Sequence, residues 1–145
     1  MKKLLSILLL TSVLFGSCTK NNKHETAKIR FMFDAGDLQF ISSSFNPDQQ
    51  TMSALYGNQQ AIKLLTGSNK RLPGSALKQA TYKVQDDPNY FGSKVNGELL
   101  RVETLETDAK GNLRYHIEFG SISSDESQQQ RMAHILDQEP IEFPQ

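Results

Sequence analysis

Cysteine is almost missing from this chain: Cys18 is the only one in 145 residues. An intramolecular disulfide is therefore impossible, as is any Cys-x-x-Cys zinc or redox motif. Neither sign of charge is in excess, with 16 Lys and Arg against 16 Asp and Glu. Without a basic run the chain has no electrostatic footprint for nucleic acid. Internal repeats, long low-complexity tracts and glycine-rich phosphate loops are also lacking. No serine–histidine or cysteine–histidine nucleophile set is recognisable. His24, His116 and His134 do not converge with other ligand types, so no metal site is expected.

One long apolar run is present, and it lies at the start. Met1-Lys2-Lys3 is a short basic segment, Leu4 to Phe15 is apolar apart from Ser6, Thr11 and Ser12, and Gly16-Ser17 precede Cys18. Basic, apolar and small-residue segments in that order read as a secretory signal over residues 1–17, too short for a good membrane-spanning helix. A cysteine directly after the small pair resembles the lipobox of bacterial lipoproteins, which implies a diacylglyceryl group on Cys18 and a new N-terminus there. Buried acyl chains anchor a protein without a spanning helix. Removing 17 of 145 residues leaves 128, and losing Lys2 and Lys3 takes the side-chain charge from zero to −2. That length suits one domain with a single core. Residues 18–28 read as a polar tether. Thr19, rather than aspartate, follows the cysteine, so by the same resemblance the expected place is the outer membrane, facing the periplasm.

From residue 29 to 145 the pattern is that of a folded domain. Ile29 to Phe33 is apolar, Asp34-Ala35-Gly36-Asp37 is a turn, and Leu38 to Phe45 and Thr51 to Tyr56 read as strands around the turn Asn46-Pro47-Asp48. Asn58 is placed to cap a short helix whose apolar face is Ala61, Ile62, Leu64 and Leu65. Ser75 to Val84 reads as a strand and Asp86 to Gly97 as irregular, punctuated by Pro88, Gly92 and Gly97. Leu100 and Val102 alternate with Arg101 and Glu103. Beyond Asp108-Ala109-Lys110-Gly111-Asn112, Leu113, Tyr115, Ile117 and Phe119 alternate with Arg114, His116 and Glu118. This predicts a β-hairpin with one wet face. Ser124-Asp125-Glu126 is placed to start a last helix with Met132, Ile135 and Leu136 as its buried stripe. The expected class is α+β, a single domain with a mainly antiparallel sheet and two or three short helices.

Tyr56-Gly57-Asn58, Ala61, the Pro73-Gly74 turn, the loop Asp86-Asp87-Pro88…Phe91-Gly92, Val102-Glu103 and Arg131…Ile135-Leu136 occur in an order that resembles the cytochrome P-460 family. The resemblance implies a small β-rich periplasmic domain. Founding members of that family carry c-type haem cross-linked to a lysine and oxidise hydroxylamine. Thioether attachment of haem needs a Cys-x-x-Cys-His segment, which this chain lacks. The cross-linking lysine is not assignable between Lys78 and Lys83. The implied protein keeps the shell without the attached cofactor.

The candidate ligand-binding residues are Tyr56, Asn58, Lys83, Asp86, Asp87 and Phe91. Each has a plainer reading: Tyr56 as core with a rim hydroxyl, Asn58 as a helix cap, Asp86-Asp87 as caps of a turn before proline. His116 falls on a wet strand face and His134 at a core edge. No catalytic residue is assigned. The expected function is a cell-envelope lipoprotein that binds a small ligand or assists a partner, with no cofactor. The alternatives are an oxidoreductase holding haem non-covalently and a structural envelope protein. Replacing Cys18 with serine should release the protein from the membrane fraction. Mass spectrometry of the native chain should find diacylglycerol on its first residue, and a lipid-free N-terminus elsewhere would rule the anchor out.

Overall fold

A computed structural model describes residues 33–68 and 70–141. The leader, Cys18, the tether with His24, and residues 29–32 lie outside the described residues. Among the described residues five strands and two helices follow one another: β1 (Gln39–Asn46), β2 (Thr51–Gly57), α1 (Gln59–Thr66), β3 (Ala76–Asp86), β4 (Lys94–Thr107), β5 (Leu113–Phe119) and α2 (Gln128–Leu136). The strands form one antiparallel sheet in the order β1-β2-β3-β4-β5. The class is α+β, mostly sheet, in a single compact domain.

The register sorts the sheet into rows that run across the strands. Because alternate residues point to opposite faces, each row belongs to one face. On the inner face lie Gly57–Leu77–Leu105–Tyr115, then Ser42–Leu55–Gln79–Glu103–Ile117, then Ser44–Ser53–Thr81–Arg101. The first row is apolar and the third is polar, so the inner face changes character from one end to the other. Ala61, Leu64 and Leu65 of α1 and Ile135 of α2 pack with Ile41, Leu55, Leu77 and Leu105 to form the main core. The outer face has a smaller cluster of Ala80, Leu99 and Val102, against which Phe33 and Tyr82 pack.

Local chemistry accounts for the helix starts. Asn58 Oδ1 accepts from the Ala61 amide at 2.9 Å and from the Ala76 amide at 3.2 Å, while its Nδ2 donates to the Gly74 carbonyl at 2.8 Å. One side chain thus caps α1 and ties it to the start of β3. α2 begins later than the acidic run 124–126 suggested. Ser127 is its N-cap, and Gln130 closes a capping box: the Ser127 amide donates to Gln130 Oε1 at 2.7 Å, and the Gln130 amide donates to Ser127 Oγ at 3.2 Å.

Two strand expectations need correction. Residues 94–97 are not irregular but open β4, with Lys94, Val95 and Asn96 opposite Asp86, Gln85 and Val84. Gly97 sits where a Cβ would meet the Lys83 carbonyl oxygen at 2.8 Å, so its bare backbone permits close strand approach. On β5, Leu113, Tyr115 and Ile117 alternate with exposed Arg114, His116 and Glu118 as expected. A register shift then brings Phe119 opposite Val102 on the outer face, out of the row of Ile117.

Gly57 explains its own place in Tyr56-Gly57-Asn58. A Cβ there would lie 2.7 Å from Ile41 Cδ1, 2.8 Å from Ala61 Cβ and 2.9 Å from the Ala76 carbonyl oxygen. Gly57→Ala should overpack this junction and cost about 1–3 kcal/mol. A Cβ at Gly74 would meet nothing within 4 Å, and only its φ of +75° opposes a side chain, so Gly74→Ala should cost about 1–2 kcal/mol. Urea midpoints that move less for Gly57→Ala than for Gly74→Ala would contradict this packing.

Candidate functional site

The residues singled out in the sequence do not gather in one place. Tyr56 is on the outer face, its ring centroid 5.3 Å from that of Phe33 and 5.8 Å from that of Phe40. Asn58 has its amide occupied by the cap described above. Lys83 lies opposite Thr51, at the other end of β2 from Tyr56, and is exposed. Asp86 forms an exposed ion pair with Lys94, and Asp87 Oδ1 accepts from the Asn89 amide at 2.8 Å in the turn. Phe91 stands fully exposed in the loop before β4. His116 is on the outer face, 3.8 Å from Glu118.

What the fold does bring together is charge under α2. Glu103, in the middle of β4, is fully buried. Arg131 of α2 meets it side by side, Nε donating to Oε1 at 2.8 Å and Nη2 to Oε2 at 2.7 Å. The Tyr115 hydroxyl donates to Oε1 at 2.7 Å. Arg101 brings its Nε within 3.0 Å of Oε2 as an ion pair, though out of line for a hydrogen bond. Arg131 Nη1 also donates to Glu126 at 3.2 Å, and Arg101 Nη1 to the Ser121 carbonyl at 3.2 Å. Isolated, a carboxylate buried this deeply would be protonated. Here burial pushes the Glu103 carboxyl upward, but the bonds from Arg131 and Tyr115 and the charges of Arg131 and Arg101 outweigh it and hold it below the usual range. Burial and the same carboxylate push the Tyr115 phenol up.

The far end of α2 is tied to the same inner row. Gln138 Nε2 donates to Gln79 Oε1 at 2.9 Å, and Ser42 Oγ donates to Gln138 Oε1 at 2.8 Å. Ser42, Gln79 and Glu103 therefore form the seat of the helix, one polar contact after another along the row. The chain continues past α2 to Ile141, whose amide donates to the Ile41 carbonyl at 2.9 Å, where a bulge interrupts β1 pairing.

Beside this seat the polar row opens into a cleft of about 420 Å³. Its floor is Ser44, Ser53, Thr81 and Arg101, its helix side is Glu126, Arg131 and His134, and the β1–β2 turn closes one end. Ser53 and Thr81 share a hydroxyl–hydroxyl hydrogen bond of 3.1 Å. Burial, with the charge of Arg131 next, pushes His134 below its ordinary value, so its imidazole is neutral at pH 7. The two guanidinium charges of Arg101 and Arg131 are balanced by Glu103 and Glu126. The cleft thus presents hydrogen-bonding groups of both kinds, and Asp48 of the β1–β2 turn adds one negative charge to its lining. Among the described residues no group of three or more His, Cys, Asp or Glu is placed to hold a metal ion.

Sequence reading missed this cleft for a physical reason. Arg101 and Glu103 were expected on a wet face, yet β4 is covered on both sides, so Arg101, Val102, Glu103, Thr104 and Leu105 are all buried. One signal was present: Arg131 lies four residues before Ile135, on the same helical face. A cation in an apolar stripe calls for a buried anion. No protein-family model matches the chain, and no curated protein matches it.

Glu103→Gln should leave Arg131 buried beside a neutral partner and cost about 3–5 kcal/mol. It should also flatten the acid limb of stability. Glu103 titrates lower in the folded than in the unfolded chain, whose value is about 4.3. Its contribution is complete above that pH and is lost as pH falls through the folded value. His134, also lowered, adds a loss that starts below about pH 6.5. Urea midpoints measured from pH 7 to pH 3 should fall less for Glu103→Gln than for the parent; parallel curves would refute the assignment.

Proposed function

We propose that this protein is a lipid-anchored protein of the bacterial cell envelope whose cytochrome P-460-like domain, without covalent haem, binds a small polar ligand in the cleft between α2 and the sheet. The cleft itself carries the reading. Its volume of about 420 Å³ falls in the range of small-molecule sites, about 300–1,000 Å³. Its lining favours a neutral or zwitterionic ligand: Arg101 faces an acceptor, Glu126 a donor, and Ser53, Thr81 and His134 serve either.

The lining does not fit haem. A porphyrin is held between broad apolar walls and ligated at iron, whereas these walls are mainly hydroxyl, amide, carboxylate and guanidinium groups, with Phe45 and Pro47 as the apolar side chains. His134 is the one imidazole in the cleft, and His116 is on the opposite face of the sheet. This lining supports a binding or accessory lipoprotein over an oxidoreductase.

The test is amide NMR of the folded domain titrated with neutral amino acids and monosaccharides as probes. Ser53, Thr81 and His134 should shift together and saturably. Ser53→Leu, which fills the floor without touching Glu103, should weaken the best probe at least about tenfold, or about 1.4 kcal/mol. Intense visible absorption with added haem, lost in His134→Ala, would replace this reading with the oxidoreductase. A cleft that answers to no probe and no haem would leave the structural protein.

A further inference from the structure

The outer face of the sheet is built differently from the inner one. Phe40 and Tyr56 stand opposite each other on β1 and β2, and Phe45 lies opposite Met52, next to Tyr82 across β2 and β3. Both helices pack on the inner face. Phe40 is 39% exposed on this face and packs edge-on against Tyr56, while Phe45, 51% exposed, lies at the strand end that also borders the cleft. Farther along, toward β5, the face turns polar, with Lys78 held 2.9 Å from Glu118. Their charges cancel.

The chain also enters the domain on this patch. Phe33, the first described residue, has its ring 5.3 Å from Tyr56. Residues 19–32 separate it from Cys18, and a chain of that length spans at most about 50 Å. We infer that the outer aromatic face is a lipid-surface docking site, lying against the bilayer that holds the acyl chains of Cys18. This rests on the lipid-anchored reading above, and it assigns that anchor a fixed orientation.

The chemistry favours a bilayer interface. Phenyl groups with an apolar body and phenol groups with a polar tip belong at the headgroup level, where aromatic residues are enriched. The patch by itself would bind weakly. A short link to an anchored lipid raises its effective concentration near the surface to the millimolar range, which makes weak affinity sufficient. Since Lys78 and Glu118 neutralise each other, contact with lipid is apolar and does not depend on anionic headgroups. The face then leaves the cleft, on the opposite side of the sheet, turned toward water.

The chain has no tryptophan, so a single introduced indole reports its own surroundings. Phe40→Trp, on the outer face and away from the cleft, and Lys63→Trp, on the exposed side of α1 on the opposite face, are made in the full lipidated chain. Each is reconstituted in phosphatidylethanolamine–phosphatidylglycerol vesicles with brominated acyl chains. Phe40→Trp should shift to the blue and lose more than about half its emission, consistent with burial about 5–10 Å into the interface. The loss should be equal at about 0.05 M and about 0.5 M salt, because screening acts only on charge. Lys63→Trp should be unaffected. An unquenched Phe40→Trp in a chain carrying diacylglycerol overturns this inference alone. A blue shift without bromine quenching, growing with protein concentration, assigns the face to a second copy of the chain instead. A chain isolated without diacylglycerol overturns the anchor and the orientation together.

Discussion

A carboxylate with no access to water governs this structure. Glu103 sits at the centre of the sheet, on its most enclosed strand. Desolvating one charge costs several kcal/mol, and only well-aimed partners offset it. Arg131, Arg101 and Tyr115 supply them from α2, β4 and β5. Such clusters add little net stability compared with an apolar core, but they are unforgiving about position. A slide of α2 by one turn would strand Arg131 and Glu103 apart, both desolvated. The helix therefore has one seat. Because Glu126, Arg131 and His134 travel with it, the cleft also has one shape.

The two faces of the sheet follow from row chemistry. Inner rows pass from Leu77–Leu105 through Gln79–Glu103 to Thr81–Arg101. α1 covers the first kind, α2 is pinned on the second, and the third is left as the floor of the cleft. Outer rows place aromatic side chains toward β1 and a neutral ion pair toward β5. A domain with one wet pocket and one greasy back has a built-in direction, and the anchor proposed at Cys18 would give that direction a reference plane.

Much of the fold was legible in the sequence because it is written in short-range terms. Leu113, Tyr115 and Ile117 show a period of two, Asn58 precedes an apolar helical stripe, and Asp108 begins a turn where its carboxylate accepts from the Lys110 and Asn112 amides at 2.8 and 2.9 Å. The site was less legible because it depends on long-range pairing. Glu103 and Arg131 are 28 residues apart, and each alone looks like a solvated surface charge. Both stood among the residues that suggested a family resemblance, but no local rule marked them as partners. Tyr56, Asn58, Asp86 and Phe91 drew notice as turn and loop punctuation, and the structure spreads them over both faces and a turn. Gly97 misled for a related reason: glycine marks a break in many sequences, whereas here it lets two strands close up.

Sheet order equals chain order, and that simple topology sets the way the protein can assemble. Every strand pairs with its sequence neighbour, the longest connection being residues 58–75 with α1 inside it, and loop-closure entropy grows only slowly with length. Local pairing of this kind folds faster than crossed β topologies. The seat for α2 does not exist until β1 to β4 lie side by side, since Ser42, Gln79 and Glu103 come from β1, β3 and β4. Helix docking is thus a late event that inspects a finished meander. A sheet with a slipped register offers Arg131 no carboxylate and is not sealed, so the buried charge acts as a proofreading step on the pairing that precedes it.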